Sequence, residues 1–298
     1  MSLPTGLPGT GRTADILTVR TVAALREAVA GWRHAGESVA LVPTMGGIHD
    51  GHLSLVRRAR ALADRVVVSL FVNPTQFGAN EDLSSYPADE VTDCSLLSGD
   101  GVDVVYAPIV TEIYPDGFAT TVSVSGLTGG LCGAHRPGHF DGVATVVAKL
   151  LTQCLPDMAL FGEKDWQQLQ VIRRLTRDLD LPVEIVGVST VREADGLALS
   201  SRNAYLEEEQ RRIAPALHRV LSTLAETVRD PGAGCEGAAR AAAASLLEAG
   251  FASVDYVSVC DAETLEPLSR VGDPDRARVF GAAHLGPARL IDNVPVKK

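Results

Sequence analysis

Five short runs of this chain are apolar almost from end to end: Val39–Val42, Val66–Val72, Val102–Tyr106, Met158–Phe161 and Val183–Val188. A strand with water on one side alternates apolar and polar residues, whereas a strand with no polar face has to be covered on both. Helical spacing fills the gaps between these runs. Thr21 is placed to cap a helix over Val22–Trp32, with Val22, Leu25, Val29 and Trp32 apolar. Further helical patterns run over Gly51–Leu62, Gly142–Cys154 and Asp165–Leu179. Buried strands alternating with amphipathic helices predict an α/β domain built on a doubly wound parallel sheet. Such sheets bind ligands beyond the carboxyl ends of their strands, so the segments that follow the strands carry the functional question.

The rest of the chain reads differently. Glu207–Arg229 and Cys235–Ala249 are helical in pattern, with a Pro/Gly linker at Asp230–Gly234 between them. Val254–Cys260, Ala277–Ala283 and Ala288–Ile291 read as short strands, with a turn at Gly272–Asp275. The expected division is a domain over 1–188 and a smaller α+β domain over 189–298. Residues Met1–Asp15 read as a loose lead-in, without the basic start and apolar stretch of a secretory signal.

The 298 residues are 46% hydrophobic and 21% charged, which fits a globular protein and excludes a disordered or collagen-like chain. No apolar run approaches the roughly 18–20 residues that span a bilayer, so no membrane role is expected. Five cysteines (Cys94, Cys132, Cys154, Cys235 and Cys260) are widely spaced with no CxxC pair, which points to reduced thiols and a cytoplasmic setting. A net charge of -10, with no basic stripe, argues against a nucleic-acid partner.

Four segments could carry chemistry. Pro43-Thr-Met-Gly-Gly-Ile-His-Asp-Gly-His52 joins the first run to its helix. Its glycines let backbone approach a ligand, and a helix start offers N–H groups and a positive dipole end to phosphate. His49 and His52 stand three apart and share a face. The alternatives are a polar turn with two solvated histidines, or a zinc pair still lacking two ligands. Phe71-Val-Asn-Pro-Thr-Gln-Phe77 ends the second run, where Asn73 and Gln76 offer neutral amides to a hydroxylated, carboxylated substrate; alone it reads more readily as an Asn-Pro turn with a surface Gln.

Phe161-Gly-Glu-Lys-Asp-Trp-Gln-Gln168 again joins a run to a helix. Asp165 is a candidate cap, Lys164 a compact cation for phosphate, and Gln168 lies one turn further on. Its plain reading is a charged helix start, with Trp166 either core packing or substrate contact. Leu199-Ser-Ser-Arg-Asn203 brings two hydroxyls and a guanidinium, a clamp for triphosphate oxygens or simply a turn before a helix. Arg136-Pro-Gly-His-Phe-Asp-Gly142 precedes a helix that Asp141 is placed to cap, and Ser125–Gly133 reads as a flexible Gly-rich loop holding Cys132.

In this order, Val42-Pro-Thr-Met-Gly with His-Asp-Gly-His52, Val72-Asn-Pro-Thr-Gln-Phe77, Arg136-Pro-Gly-His-Phe140, Phe161-Gly-Glu-Lys-Asp165 with Gln167-Gln168, and Leu199-Ser-Ser-Arg-Asn203 resemble the pantothenate synthetase family, as does the tail Ala288-Arg-Leu-Ile-Asp-Asn293. The resemblance runs from about Val19 to Asn293. The His-x-Gly-His element alone marks the wider nucleotidylyltransferase superfamily. The resemblance implies a Rossmann-like N-terminal domain, a C-terminal lid domain, a homodimer, and ATP- and Mg²⁺-dependent condensation of pantoate with β-alanine through pantoyl adenylate. It places Met45, Gly46, Gly47, His49 and His52 on ATP, together with Gly162, Glu163, Lys164, Asp165, Val191, Leu199, Ser200, Ser201 and Arg202. It gives catalytic roles to His52, His49, Lys164 and Arg202, and pantoate to Gln76, Gln168 and Asn73. It assigns no Mg²⁺ ligand.

The chain departs from the family at Thr75, where Met is common, at Trp166 in place of Phe or Tyr, and at Tyr86-Pro-Ala-Asp89 in place of Tyr-Pro-Arg-Thr; the acidic position Asp93 is kept. Two other readings compete. A nucleotidylyltransferase with a phosphorylated acceptor would want more Lys or Arg than Asn73, Gln76 and Gln168 provide. A non-catalytic nucleotide-binding regulator would not need His52 and Lys164 together.

Overall fold

The computed structural model describes residues 10–13, 16–78 and 81–297. The expected loose lead-in over Met1–Asp15 therefore lies mostly outside the described residues. Within it Thr10–Thr13 form a strand, β1, antiparallel to β2 (Ile16–Val19). Strands and helices then alternate: α1 (Val22–His34), β3 (Val39–Thr44), α2 (Asp50–Arg60), β4 (Arg65–Leu70), α3 (Glu90–Gly99) and β5 (Val104–Tyr106). After the one-turn helices α4 (Val110–Ile113) and α5 (Cys132–His135) come α6 (His139–Cys154), β6 (Met158–Gly162), α7 (Trp166–Asp178) and β7 (Glu184–Val188).

The strands lie in the order β1-β2-β5-β4-β3-β6-β7, and every neighbouring pair but β1–β2 is parallel. This is a Rossmann-like doubly wound sheet with one antiparallel edge strand. From β3 the chain winds outward through β4 and β5, then resumes on the other side of β3 with β6 and β7. The carboxyl end of β3 is thus the switch point where such sheets take ligands.

The pleat explains the apolar runs. Ala40 and Val42 of β3, Val66 and Val68 of β4, and Val105 of β5 belong to one core with Leu53 and Val56 of α2 and Leu97 of α3. Val39, Leu41, Val67, Val104 and Tyr106 alternate with them along the strands and are buried as well. Their face is covered on α6, which packs against β3 and α1. Each such aliphatic side chain, fully buried, contributes about 1.5–3 kcal/mol. Thr21 caps α1 as expected, its hydroxyl accepting from Ala24 N–H at 3.2 Å. Asp141 does not cap α6: Gly138, at φ +80°, starts that helix, and Asp141 sits inside its first turn.

The chain divides into two compact units. One comprises Met1–Val124, Gly138–Glu163 and Val171–Ser189 and holds the sheet above; the other comprises Ser125–Pro137, Lys164–Gln170 and Thr190–Lys298. In the second, α8 (Glu208–Ile213), α9 (Ala216–Thr227) and α10 (Cys235–Glu248) are followed by β8 (Ser253–Asp261), β9 (Ala277–Leu285) and β10 (Ala288–Pro295). The helix expected over Glu207–Arg229 is two, because Pro215 lacks the N–H that would carry α8 onward. The strands form an antiparallel sheet in the order β10-β9-β8. Leu217 and Leu221 of α9 and Leu246 of α10 share a core with Val259, Val279 and Leu290 of that sheet. A Cβ on Gly281 would stand 2.9 Å from Leu221, so α9 approaches β9 as closely as it does only over a glycine. Among the described residues no helix is long and apolar enough to cross a membrane.

Candidate active site

Beyond β3, Gly46 and Gly47 take φ of +85° and +64°, a conformation that turns the chain sharply and that side chains resist. The turn is held from beneath by Asp93 of α3, which is 3% exposed. Its Oδ2 accepts the N–H of Gly47 at 2.9 Å, and its Oδ1 accepts that of Ile48 at 2.7 Å. Burial pushes this carboxyl up, against the pull of those two N–H groups. Gly46 N–H goes to Thr44 Oγ1 at 3.2 Å. The N–H groups of Gly46, Gly47 and Ile48 are therefore already paired inside the protein.

The two histidines follow at the start of α2. His49 is the N-cap of α2, its Nδ1 accepting Gly51 N–H at 3.1 Å. His52 Nδ1 accepts the N–H of His49 at 3.4 Å, and the two rings stand 4.1 Å apart, tilted by 33°. A ring nitrogen that accepts a hydrogen bond carries no proton, so each neutral imidazole is the Nε2–H tautomer. Each presents a donor from Nε2.

Beyond β4, Asn73 ends the run and Pro74–Gln76 make a single 3-10 turn. Asn73 was expected to offer its amide to substrate, but it is 1% exposed and its amide is engaged within the protein. Its Nδ2 donates to Gln76 Oε1 at 3.0 Å and to Gly142 O at 3.1 Å. Its Oδ1 accepts from the hydroxyls of Thr75 at 2.9 Å and Tyr114 at 2.8 Å. Asn73 positions Gln76 instead of standing beside it. Gln76 is further placed by its Nε2 donating to Met45 Sδ at 3.0 Å and by His139 Nδ1 meeting its carbonyl at 2.8 Å. A Cβ on Gly142 would lie 2.4 Å from Thr75 O, so α6 meets this turn backbone to backbone.

The departures at Thr75 and Asp89 have local functions. Thr75 ties Asn73 to Tyr114, its hydroxyl lying 3.2 Å from the Tyr114 hydroxyl. Asp89 caps α3, accepting from the N–H of Val91 at 3.1 Å and the hydroxyl of Thr92 at 2.7 Å. That cap fixes the start of the helix that carries Asp93.

The second unit holds its own set. Lys164 and Asp165 lie in the 3-10 turn Glu163–Asp165 that leads into α7. Lys164 O accepts from Asn293 Nδ2 at 2.8 Å. Trp166 Nε1 donates to Ala262 O at 2.7 Å, and the Arg278 guanidinium lies 3.5 Å over its ring. Gln167 is buried and gathers the Gly-rich loop: its Nε2 donates to Leu127 O and Gly130 O, both at 2.9 Å, while its Oε1 accepts Cys132 N–H at 3.0 Å. Gln168 is half-buried one turn beyond Lys164.

Val191 and Leu199 meet, Leu199 N–H donating to Val191 O at 3.0 Å. The hairpin they close is anchored by Arg192, whose guanidinium binds Asp292 at 2.6 and 2.9 Å. Burial would push Asp292 up, yet His218 and Arg192 hold it below the usual carboxylate range. Ser200 then caps the turn Ser201–Tyr205 by accepting Arg202 N–H at 3.3 Å, so Ser200, Ser201 and Arg202 follow directly on that hairpin. Asp93, Tyr114, Gln167, Arg278 and Asn293 were not singled out as site residues by sequence. Asp93 carried a trace, as the acidic position kept after Tyr86-Pro87, and Gln167 and Asn293 stood within the motifs of the resemblance.

Comparison with known proteins identifies the family. The family model described as pantoate-beta-alanine ligase matches residues 17–295. Pantothenate synthetase from Paramagnetospirillum magneticum is 60% identical over 279 residues, covering 94% of this chain and 97% of that protein. The Sphingopyxis alaskensis pantothenate synthetase is 55% identical over 93% of this chain and 99% of its own length. Among solved structures, a pantothenate synthetase from Thermus thermophilus superposes with a TM-score of 0.87 at 51% identity, covering 94% of this chain and 99% of its own. The Francisella tularensis pantoate-beta-alanine ligase, complexed with beta-gamma ATP and beta-alanine, does so with a TM-score of 0.79 at 31% identity over 95% and 98% of the two chains.

Proposed function

The chain belongs to the pantoate–β-alanine ligase family, and from that membership we propose that it joins pantoate to β-alanine, converting ATP to AMP and pyrophosphate by way of pantoyl adenylate. The observation that carries the assignment of residues is the pair of Nε2–H donors at the switch point of the sheet.

In the first step a pantoate carboxylate oxygen attacks the α-phosphorus of ATP, and the bond to the bridging oxygen of pyrophosphate breaks. His49 and His52 donate from Nε2 to phosphate oxygens, and Lys164 neutralises charge developing on them. Ser200, Ser201 and Arg202 hold the phosphates that leave. Gln76 and Gln168 hold pantoate through its hydroxyls and carboxylate, with Asn73 keeping Gln76 in place. Val191 meets the adenine through its backbone, while Met45, Gly46, Gly47, Gly162, Glu163, Asp165 and Leu199 line the nucleotide. In the second step the amine of β-alanine attacks the acyl carbon, AMP leaves and the nitrogen loses a proton. No protein nucleophile takes part, so catalysis is positioning and charge stabilisation.

Among the described residues no three His, Cys, Asp or Glu side chains gather into a metal site. Mg²⁺ in this reading arrives on the phosphates of ATP, with no cage of protein ligands and no step assigned to it. We further propose a cytoplasmic homodimer; the five cysteines are free and buried, as suits a reducing compartment.

Pantoate-dependent exchange of labelled pyrophosphate into ATP, without β-alanine, tests the reading. Exchange that requires pantoate is the expected result. A folded protein that binds ATP and shows no exchange would refute it.

A further inference from the structure

We propose that Asn293 is a positioning residue for Lys164, fixing the lysine backbone so that its ammonium meets the reacting phosphate in one place. The inference rests on the role given to Lys164 above. A lysine ammonium rides on a flexible stem, so the volume it samples is set by where its Cα is held. Lys164 lies in a one-turn connection, Glu163–Asp165, where the regular ladders of β6 and α7 do not fix the backbone. Its carbonyl accepts the side-chain N–H of Asn293 at 2.8 Å.

Asn293 is itself locked. It sits on β10, 4% exposed, with its own N–H donating to Asp292 Oδ1 at 2.8 Å. Its Oδ1 accepts from the guanidinium of Arg278, which lies diagonally across the ladder on β9, two residues from the Phe280 that pairs with Asn293. Arg278 is 8% exposed and stacks over Trp166 at 3.5 Å. Trp166, two residues beyond Lys164, is pinned by its Nε1 donating to Ala262 O at 2.7 Å. The antiparallel sheet thus grips the connection at two points, the carbonyl of Lys164 and the ring of Trp166. The amide orientation follows from its partners: an arginine only donates and a carbonyl only accepts, so Asn293 must present oxygen to Arg278 and nitrogen to Lys164. An aspartate could satisfy the first partner and would repel the second.

Asn293→Asp is therefore the diagnostic change. It keeps the size and the acceptor for Arg278, and removes the donor to Lys164. We expect pantoate-dependent ATP–pyrophosphate exchange to fall by roughly 10–100-fold, as for a displacement of about 1 Å at a reacting group. The KM for pantoate should stay close to wild type, and the thermal midpoint should fall with the repulsion at Lys164 O while the protein stays folded at the assay temperature. In a Lys164→Ala background the same change should alter exchange by less than about twofold, because a positioning residue has nothing left to position. Exchange near wild type in Asn293→Asp, or losses that simply multiply in the double variant, would overturn the inference. Lys164→Ala at the wild-type rate would instead remove the premise, a distinguishable failure. Should Asn293→Asp not fold, Trp166→Phe, which loses the Ala262 bond and keeps a ring, carries the same cycle with the same expected coupling.

Discussion

His52 turns its Nδ1 onto the backbone N–H of His49 at 3.4 Å, while His49 uses its own Nδ1 to cap the helix they share. Each ring is oriented by its inner nitrogen and, in the proposed reaction, acts through its outer one. His52→Asn keeps an acceptor near the position of Nδ1 and places nothing at Nε2. The folded protein should survive this change with adenylate formation lowered roughly 10²–10³-fold, the loss for one transition-state donor, and with ATP affinity changed much less. Single-turnover formation of the adenylate measures the first quantity and equilibrium binding the second. A variant retaining near-normal turnover would show that the outer nitrogen is not used.

Gly46 and Asp93 constrain one another. A Cβ on Gly46 would stand 2.8 Å from Asp93 Oδ2 and 3.1 Å from Ala88 Cβ, on a backbone at φ +85°. Gly46→Ala should cost about 1–3 kcal/mol in urea unfolding. Asp93→Asn, which leaves either Gly47 or Ile48 N–H facing an amide donor, should cost a similar amount. Both should raise the KM for ATP. Two stable variants with unaltered KM would contradict the account of this turn.

Gln76→Ala should raise the KM for pantoate and leave ATP binding nearly unchanged, since the amide is aimed by Asn73 and Met45. Gly142→Ala should act on the same constant from a distance, because its Cβ would meet Thr75 O at 2.4 Å and displace the turn that carries Gln76. Steady-state titration of each substrate separates the effects. A selective loss of ATP affinity in either variant would argue against the assignment of Gln76.

Asp292 makes stability depend on pH. Its folded pKa lies below the ordinary 3.8, so the native state binds fewer protons than the unfolded chain in the acid range. The contribution is fully present above 3.8 and is lost as pH falls below it, through the lowered value. Asp292→Asn should flatten this acid limb. Arg192→Ala, which leaves Asp292 buried without its bidentate partner, should destabilise by about 3–5 kcal/mol at neutral pH. Denaturant unfolding between pH 3 and pH 7 measures both. An acid limb unchanged in Asp292→Asn would place its origin elsewhere.

The parallel strands were legible because Val39–Val42 and Val66–Val72 leave no polar face to solvent. β2 and α3 were not. Ile16-Leu-Thr-Val19 is too short for periodicity to distinguish it, and α3 buries only Asp93, Cys94 and Leu97, one of them charged. His49, His52, Lys164 and the Ser-Ser-Arg stretch could be nominated because each follows a readable strand or turn. The partners of the Asn73 amide could not be read, since an asparagine looks the same whether or not its amide faces Gly142. The tasks of Asp93 and Asn293 were unreadable for a different reason. Each acts on a backbone group far away in sequence, at Gly47 or at Lys164, and only the folded sheets bring those groups within reach.

Because the N–H groups of Gly46, Gly47, Ile48 and Gly51 are turned inward, the proposed affinity for phosphate leans on two imidazoles. A phosphate cradle of peptide amides is chemically inert to side-chain reagents. Imidazole side chains, here two half-buried rings, react with such reagents. A histidine-directed acylating reagent should silence the adenylation half-reaction, saturating ATP should protect against it, and hydroxylamine, which strips the acyl group, should restore it.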